Sequence, residues 1–440
     1  ATVAKEMWAF FLAAAAASVE HTQLETAAGT LRGEISGGVR KFMGVPLAKP
    51  PIGNLRWENP QPASPWTGVR DALKYSRSCM QHGTGFTEFS GQSEDCLYMN
   101  VFIPNTTTTE PRPVMVFFYG GSNALGSAMF PLYAGANLAK ATDAVVVTSN
   151  YRLNAFGWLG ADVLRASDNS TGNFGLQDQR LAMKWVWDNA KALHADTGKL
   201  MIFGESAGSA DTGAHLTSHR SRGLFTRAAM ESGPFADWSS QSLQVATRRF
   251  VAFAQNTGCL PPSLDQQAIQ RYTARGEEGD KLVACLKGKN ATQVLAAARD
   301  LPPGTRVTDW MAVVDGVEFS ELVRDLAAKG GIAPVPVLLG SNKDEGSEFV
   351  SLPLQATETD FMDQLKRLKL TAEQTDMVVR QYSASRYSPS KLASAYWYAA
   401  SDLIGDFAIS CRVRASAHDL LLAPTPSSKY RHYSSSSSSS

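Results

Sequence analysis

The fold is decided by the stretch LMIFGESAG, Leu200–Gly208. Its first four residues are a short apolar run typical of a buried strand, and a Gly-x-Ser-x-Gly sequence follows directly. On a sharp turn from strand to helix, a serine has a strained backbone and holds its hydroxyl above the C-terminal edge of the sheet, where ligands bind in open α/β folds. The stretch therefore predicts that Ser206 is a nucleophile; the alternative is an ordinary helix N-cap.

Around this stretch, short apolar runs alternate with helical patterns. Val114–Tyr119 and Ala144–Ser149 are continuous apolar or β-branched runs, and a helical period follows over Arg180–Leu193. Further strands are expected at Arg227–Glu231 and Val335–Leu339, and a further helix at Phe361–Leu370. Strands that alternate with helices predict an α/β fold, with a central, mostly parallel sheet flanked by helices.

Composition excludes several classes of protein. The 440 residues carry 42 Lys+Arg against 41 Asp+Glu, a balance that argues against a nucleic-acid partner. With 44% hydrophobic residues the chain can build a core without a metal or a disulfide, and no cofactor is expected. The longest apolar run, Met7–Ala17, is about 11 residues, whereas a membrane span needs about 20. The expected partner is a small molecule.

The two ends of the chain read as segments outside the fold. Lys5, the apolar run Met7–Ala17 and the small residues before Ser18 predict a signal peptide over residues 1–19, with a short buried helix as the alternative. Ser434–Ser440 is a poly-serine tail that cannot bury apolar surface.

A secretory route changes the meaning of cysteines and sequons. In an oxidising compartment the cysteines should pair, whereas in the cytosol they would be buried thiols. There are five: Cys79, Cys96, Cys259, Cys285 and Cys411. Three sequons predict glycosylation at Asn105, Asn169 and Asn290.

A serine nucleophile also needs donors for the negative oxygen that forms during acyl transfer. Tyr119–Ser122 is a Gly-rich loop that directly follows the predicted strand residues Val114–Phe118. We expect the backbone N–H groups of Gly121, Ser122 and Ala207 to form an oxyanion hole. An ordinary Gly-Gly turn is the alternative.

At this point the chain resembles the type-B carboxylesterase/cholinesterase family of α/β-hydrolases. The resemblance runs from about Gly29 to about Tyr433, and a single domain of this type is expected over residues 20–433. The segments that carry it are Phe42–Ala48 with Pro50–Gly53, Ser93–Val101, Asn150–Arg152, Gly172–Gln179 and Phe203–Gly208.

The resemblance implies roles for individual residues. Ser206 matches the nucleophile, and Glu345, within Asn342–Ser347, matches the acid that orients a histidine base; a solvated loop residue is the alternative. The implied disulfides are Cys79–Cys96 and Cys259–Cys285, Cys411 matches a cysteine whose partner lies further along, and Arg56 and Glu94 match a structural ion pair.

The chain also departs from the family pattern. Ser122 and Asn123 replace a third glycine and an aromatic residue, and Glu348 stands where cholinesterases have an aromatic residue. The loop Gln81–Gln92 contains Phe86 and Phe89 but no tryptophan for a quaternary ammonium. We therefore expect an esterase for uncharged esters and not a cholinesterase.

No His-Gly pair follows Glu345, although the family places its base there. His418 lies in an apolar helical stretch, and His432 lies inside the predicted strand Lys429–Tyr433. The expectation is that the C-terminal segment with the base is absent and that this chain has little activity. The alternatives are a non-catalytic cholinesterase-like module used in binding or adhesion, and a degenerate gene product.

Overall fold

The computed structural model describes residues 20–83, 91–302, 309–368 and 370–422. The predicted signal peptide 1–19, the residues Phe86 and Phe89, the strand Lys429–Tyr433 with His432, and the serine tail lie outside the described residues. No helix in the described ranges is long and apolar enough to cross a membrane.

Most strands belong to one twisted sheet. In chain order the strands are β1 Glu20–Thr26, β2 Gly29–Ser36, β3 Val39–Pro46, β4 Val69–Asp71, β5 Ser78–Cys79, β6 Gln92–Ser93, β7 Tyr98–Pro104, β8 Arg112–Phe118, β9 Val145–Ser149, β10 Ala195–Glu205, β11 Arg227–Glu231, β12 Ser240–Ser242, β13 Ala312–Val314 and β14 Val337–Gly340. The sheet order is β1-β2-β3-β7-β9-β8-β10-β11-β14, with β4 beside β2. Two small parallel pairs, β5–β6 and β12–β13, stand apart from it.

The sheet has an antiparallel half and a parallel half. The pairs from β1 through β9 along the path are antiparallel, and those from β9 to β14 are parallel. With the β2–β4 pair included, five of the nine strand pairs described in this large sheet are parallel. The parallel half carries the site because its strands end at one common edge.

Helices cover the sheet and extend beyond it. They are α1 Ala136–Thr142, α2 Asn154–Gly157, α3 Phe174–Asp188, α4 Ala190–Leu193, α5 Ala207–Thr217, α6 Leu243–Asn256, α7 Gln266–Thr273, α8 Glu277–Lys287, α9 Ala291–Ala297, α10 Val323–Ala328, α11 Glu358–Arg367, α12 Ala372–Gln381, α13 Ala395–Gly405 and α14 Cys411–Leu422. The predicted α/β architecture is confirmed, and the apolar runs of the sequence lie in β8, β9, β10, β11 and β14.

The helix expected over Arg180–Leu193 differs from the prediction, because it starts earlier and breaks at Asn189. The Asn189 side chain donates to the carbonyl of Trp185 at 2.8 Å and accepts from the N–H of Ala27 at 2.8 Å. An asparagine that bonds the backbone in this way competes with the helical pattern. The break separates α3 from α4 and ties both to the start of the sheet.

The main core is formed by the inward faces of the central strands. Val116, Val147 and Ile202 are fully buried, because helices cover both faces of the sheet. A smaller core lies apart from it and is built by α11 and α13. Its fully packed residues are Phe361, Leu365, Ala399, Ala400 and Leu403.

A buried ion pair ties the N-terminal segment to the end of α8. Arg56 donates from Nε and Nη2 to the two carboxylate oxygens of Glu94, at 2.5 and 2.8 Å, and the two side chains are only 5% and 9% exposed. Its Nη1 also donates to the carbonyl oxygens of Leu286, Lys287 and Lys289. The structure thus contains the expected pair and gives it a structural role.

Replacing Arg56 with alanine is expected to lower the free energy of unfolding by about 3–5 kcal/mol, because the Glu94 carboxylate stays buried without a cation. Denaturant unfolding followed by fluorescence measures this. Arg32→Ala is the matched control, since Arg32 pairs with Asp71 at the exposed surface and should change little. Equal losses in the two variants would contradict the prediction.

Candidate active site

Ser206 occupies the turn between β10 and α5 with a strained backbone. Its φ is 55° and its ψ is −121°, a region that side chains rarely enter and that costs roughly 1–3 kcal/mol. The surroundings hold it there: its N–H donates to the Glu231 carbonyl at 2.9 Å, and its own carbonyl accepts from the N–H of Ala210 at 3.0 Å. The strained turn predicted from the sequence is present.

The two glycines that flank Ser206, Gly204 and Gly208, cannot be replaced by larger residues without a clash. A Cβ at Gly208 would lie 2.0 Å from the carbonyl oxygen of Phe118, at the end of β8. A Cβ at Gly204 would lie 2.4 Å from the carbonyl group of Gly208. Strand and helix can therefore meet at this angle only without side chains at these two positions.

The loop after β8 passes directly beside the nucleophile. A Cβ at Gly120 would lie 2.8 Å from the Cβ of Ser206. The next three residues, Gly121, Ser122 and Asn123, all have positive φ, at 107°, 56° and 53°. Ser122 therefore fits the loop by taking a left-handed conformation, at a cost that glycine would not carry. The convergence of the Gly121, Ser122 and Ala207 N–H groups stays a prediction.

Glu345 follows β14 and is held by the turn after the neighbouring strand. Its Oε1 accepts from the hydroxyl of Ser232 at 2.5 Å and from the backbone N–H of Asn342 at 2.6 Å. Ser232 and Gly233 follow β11, and a Cβ at Gly233 would lie 2.2 Å from the Ser206 carbonyl oxygen. One turn therefore contacts both Ser206 and Glu345. Sequence reasoning missed Ser232, whose only signal was its place directly after a strand.

Glu345 is also fixed from the side of the smaller core. A Cβ at Gly346 would lie 1.8 Å from the carbonyl oxygen of Ser401 in α13, so the turn after Glu345 lies flush against that helix. A cavity of about 700 Å³ opens beside Glu345. Tyr387, Trp397 and Tyr398 contribute the aromatic part of its lining.

Comparison with known proteins identifies the family of this chain. The Carboxylesterase family pattern matches residues 20–440. The chain belongs to the carboxylesterase family. This family comprises carboxylic ester hydrolases of the α/β-hydrolase fold, so the fold expected from the sequence is confirmed.

The relatives of this carboxylesterase-family chain include several acetylcholinesterases. The chain is 36% identical to an acetylcholinesterase of Electrophorus electricus, over 76% of this chain and 53% of the relative. It is 31% identical to an acetylcholinesterase of Bungarus fasciatus, over 90% and 67% respectively. A Dictyostelium discoideum protein called crystal protein is 35% identical, over 73% and 56%. The chain thus spans between about half and two thirds of the length of these relatives.

The carboxylesterase-family chain contains both expected disulfides. Cys79 is bonded to Cys96, and Cys259 is bonded to Cys285, while Cys411 is exposed and free. The three sequon asparagines are exposed. Asn290 also caps α9, where its Oδ1 accepts from the N–H of Gln293 at 2.9 Å.

Among the described residues, no histidine ring bonds to Ser206 or to Glu345. His418 lies on α14 with a side chain that is 70% exposed, and its nearest charged neighbour is Asp419 at 3.8 Å. His215 lies on α5, the helix that follows Ser206, and is fully buried, but its ring bonds to Gln179 and Ser221. The described part of the site thus brings Ser206 and Glu345 near one another without a histidine bonded to either.

Several carboxylates lie close to Ser206. Burial raises the pKa of Glu205, the residue before Ser206, to about 7, and the negative charges of Glu345 and Glu348 add to this effect. Glu231 contributes a smaller share. The site is therefore negatively charged at neutral pH, and part of Glu205 remains protonated there.

Because the folded protein raises the Glu205 pKa above its unfolded value of about 4.5, stability falls as pH rises from about 4.5 through 7. Glu205→Gln removes this loss, so its free energy of unfolding should exceed that of the natural chain by about 1–2 kcal/mol at pH 8 and by less at pH 5. Denaturant unfolding at both pH values measures the difference, with the exposed Glu110→Gln as control. A gain independent of pH would count against it.

Proposed function

We propose that this protein is a serine carboxylesterase that hydrolyses carboxylic esters through an acyl-enzyme on Ser206. The observation that carries the proposal is the Ser206 backbone, which is held in a costly conformation. The Glu231 carbonyl fixes it by a hydrogen bond, and Gly120 and Gly233 pack closely against it. A turn whose only role was structural would not need a non-glycine residue there.

The chemistry follows from the positions of the groups. Ser206 Oγ attacks the ester carbonyl while a base takes its proton, and the negative oxygen is stabilised by the N–H groups of Gly121, Ser122 and Ala207. The alcohol leaves with that proton. Water then attacks the acyl-enzyme, which releases the acid and restores the serine.

We infer that the base is an imidazole from outside the described residues. Glu345 uses Oε1 for its two described hydrogen bonds, with Ser232 and Asn342, so that Oε2 is the oxygen available to an imidazole. Glu345 would hold the imidazole in one tautomer and stabilise its positive charge.

The substrates we propose are uncharged carboxylic esters. Glu205 and Glu348 place negative charge near the nucleophile, which disfavours anionic acyl groups. Burial, together with the negative charges of Glu205 and Glu348, raises the pKa of Tyr133, so this ring lies near the same carboxylates.

A second candidate is a non-catalytic binding module of the same fold. The observation that favours it is the lack of a described histidine at Glu345. Such a module would need neither a strained serine nor an acid fixed by hydrogen bonds, and this chain has both.

Added imidazole tests the two candidates. The 440-residue chain should hydrolyse p-nitrophenyl butyrate slowly, roughly 10³–10⁴ over water, and imidazole should raise the rate to a plateau by filling the place of the base. The Ser206→Ala variant is the control, because it removes the nucleophile and leaves only hydrolysis by imidazole itself. Peptide mass spectrometry after fluorophosphonate treatment should find the label on Ser206.

Equal rates for the natural chain and Ser206→Ala, with no label, would support the binding module. Fast hydrolysis without imidazole that disappears in His432→Ala or His418→Ala would show that the base lies within this chain.

We further propose that the protein passes through the secretory pathway. Two disulfides and the exposed asparagines Asn105, Asn169 and Asn290 support this. Expression in a eukaryotic secretory host should give a protein that loses mass with peptide-N-glycosidase, and Thr292→Ala should remove the share attached at Asn290. No mass change in the natural chain would contradict the glycosylation sites.

A further inference from the structure

Asp211 is a buried carboxylate with no cationic partner among the described residues. It lies on α5, the helix that begins after Ser206, and it is 2% exposed. Its Oδ2 accepts from Gln179 Nε2 at 2.6 Å, and its Oδ1 accepts from Asn123 Nδ2 at 3.1 Å. A buried carboxylate whose described partners are two neutral amides costs folding free energy. The groups that it holds in place could justify that cost.

A chain of donors ends at this carboxylate. Because Gln179 donates to Asp211 through its amide nitrogen, its oxygen faces His215 and accepts from Nε2 at 3.1 Å. The other ring nitrogen, Nδ1, then accepts from the Ser221 hydroxyl at 2.8 Å, which in turn accepts from Arg180 Nε at 3.0 Å. Burial keeps the pKa of His215 well below its ordinary value, so the ring is neutral and fits these roles.

Every donor in this series of hydrogen bonds therefore points toward Asp211, and the arrangement suits an ionised carboxylate. Burial raises the pKa of Asp211 to about 7, and the amide bonds from Gln179 and Asn123 act in the opposite direction. The amide of Asn123 is the only member of the network that belongs to the loop after β8.

Asn123 is the last of the three consecutive residues with positive φ in that loop. Its carbonyl accepts from the N–H of Asn154 at 2.7 Å, and its amide lies 3.4 Å from the Trp310 carbonyl. The hydrogen bond from Asn123 to the Asp211 carboxylate joins the loop after β8 to α5.

We propose that Asp211 is a positioning residue that holds the loop after β8, through Asn123, at a fixed distance from Ser206. Its catalytic consequence rests on the proposed esterase function, whereas its effect on the loop does not. Oxyanion donors work only within about 2.7–3.1 Å of the oxygen, so a loop that drifts loses them.

Hydrogen exchange of the whole chain tests the effect on the loop. The amides of Ala124 and Leu125, which donate to the Gly121 carbonyl, should exchange roughly tenfold faster in Asn123→Ala and in Asp211→Leu. The double variant should exchange no faster than either single variant, because both changes remove one bond. Asp211→Asn keeps one acceptor oxygen, which the amides of Gln179 and Asn123 must share, and should be intermediate. Thr217→Val is the control, since its hydroxyl bonds only to α5 carbonyls.

A kinetic readout separates positioning from a structural role. In the imidazole-supported, Ser206-dependent hydrolysis, kcat should fall roughly tenfold or more in Asp211→Leu while KM stays the same, because donors to the transition state are displaced. Asp211→Asn should recover part of the loss. If the natural chain shows no Ser206-dependent hydrolysis, the proposed function fails and the exchange experiment still decides this inference.

Three results would overturn the proposal. The first is unchanged exchange at Ala124 and Leu125 in Asp211→Leu. The second is faster exchange in β8 and β9 to the same degree, which would assign Asp211 to general stability. The third is additive effects of the two single changes, which would show that Asn123 and Asp211 act separately.

Discussion

The backbone of Ser206 is the constraint on which the rest of the site depends. A residue at φ 55° and ψ −121° relaxes unless its neighbours fix it, and here a strand carbonyl, two glycine contacts and the following turn do so. These contacts come from β8 and β11, the two strands that flank β10 in register. The parallel half of the sheet therefore acts as a rigid frame that places one hydroxyl above its edge.

The frame also explains how three separate chain segments reach the same place. The loop after β8 lies beside Ser206, the turn after β11 lies beneath it, and the turn after β14 carries Glu345. Each follows the carboxyl end of a parallel strand, so sheet order alone brings them together. The hydrogen bonds that Ser232 donates to Glu345 and that Asn123 donates to Asp211 then fix the final distances, which the sheet leaves undetermined.

How much of this could be read from the sequence depends on the range of the interaction. Leu200–Gly208 predicts both strand and turn because its signal is local, and the disulfides follow from the family resemblance. The break at Asn189 depends on a bond to Ala27, which no local pattern contains. The role of Ser232 depends on Glu345, more than a hundred positions away in the chain. Composition could not reveal Asp211, since a single aspartate among small residues looks like a surface residue until it is seen buried.

The placement of Glu345 has a consequence for heat. Its turn is fastened on one side to the main core through Ser232 and on the other to α13, which belongs to the smaller core. Few packed side chains protect that smaller core, so we expect it to open at a lower free energy than the sheet does. On warming, Glu345 should then lose its support while Ser206 and its strained turn stay in place. Glu345 should return to its position on cooling without any refolding of the sheet.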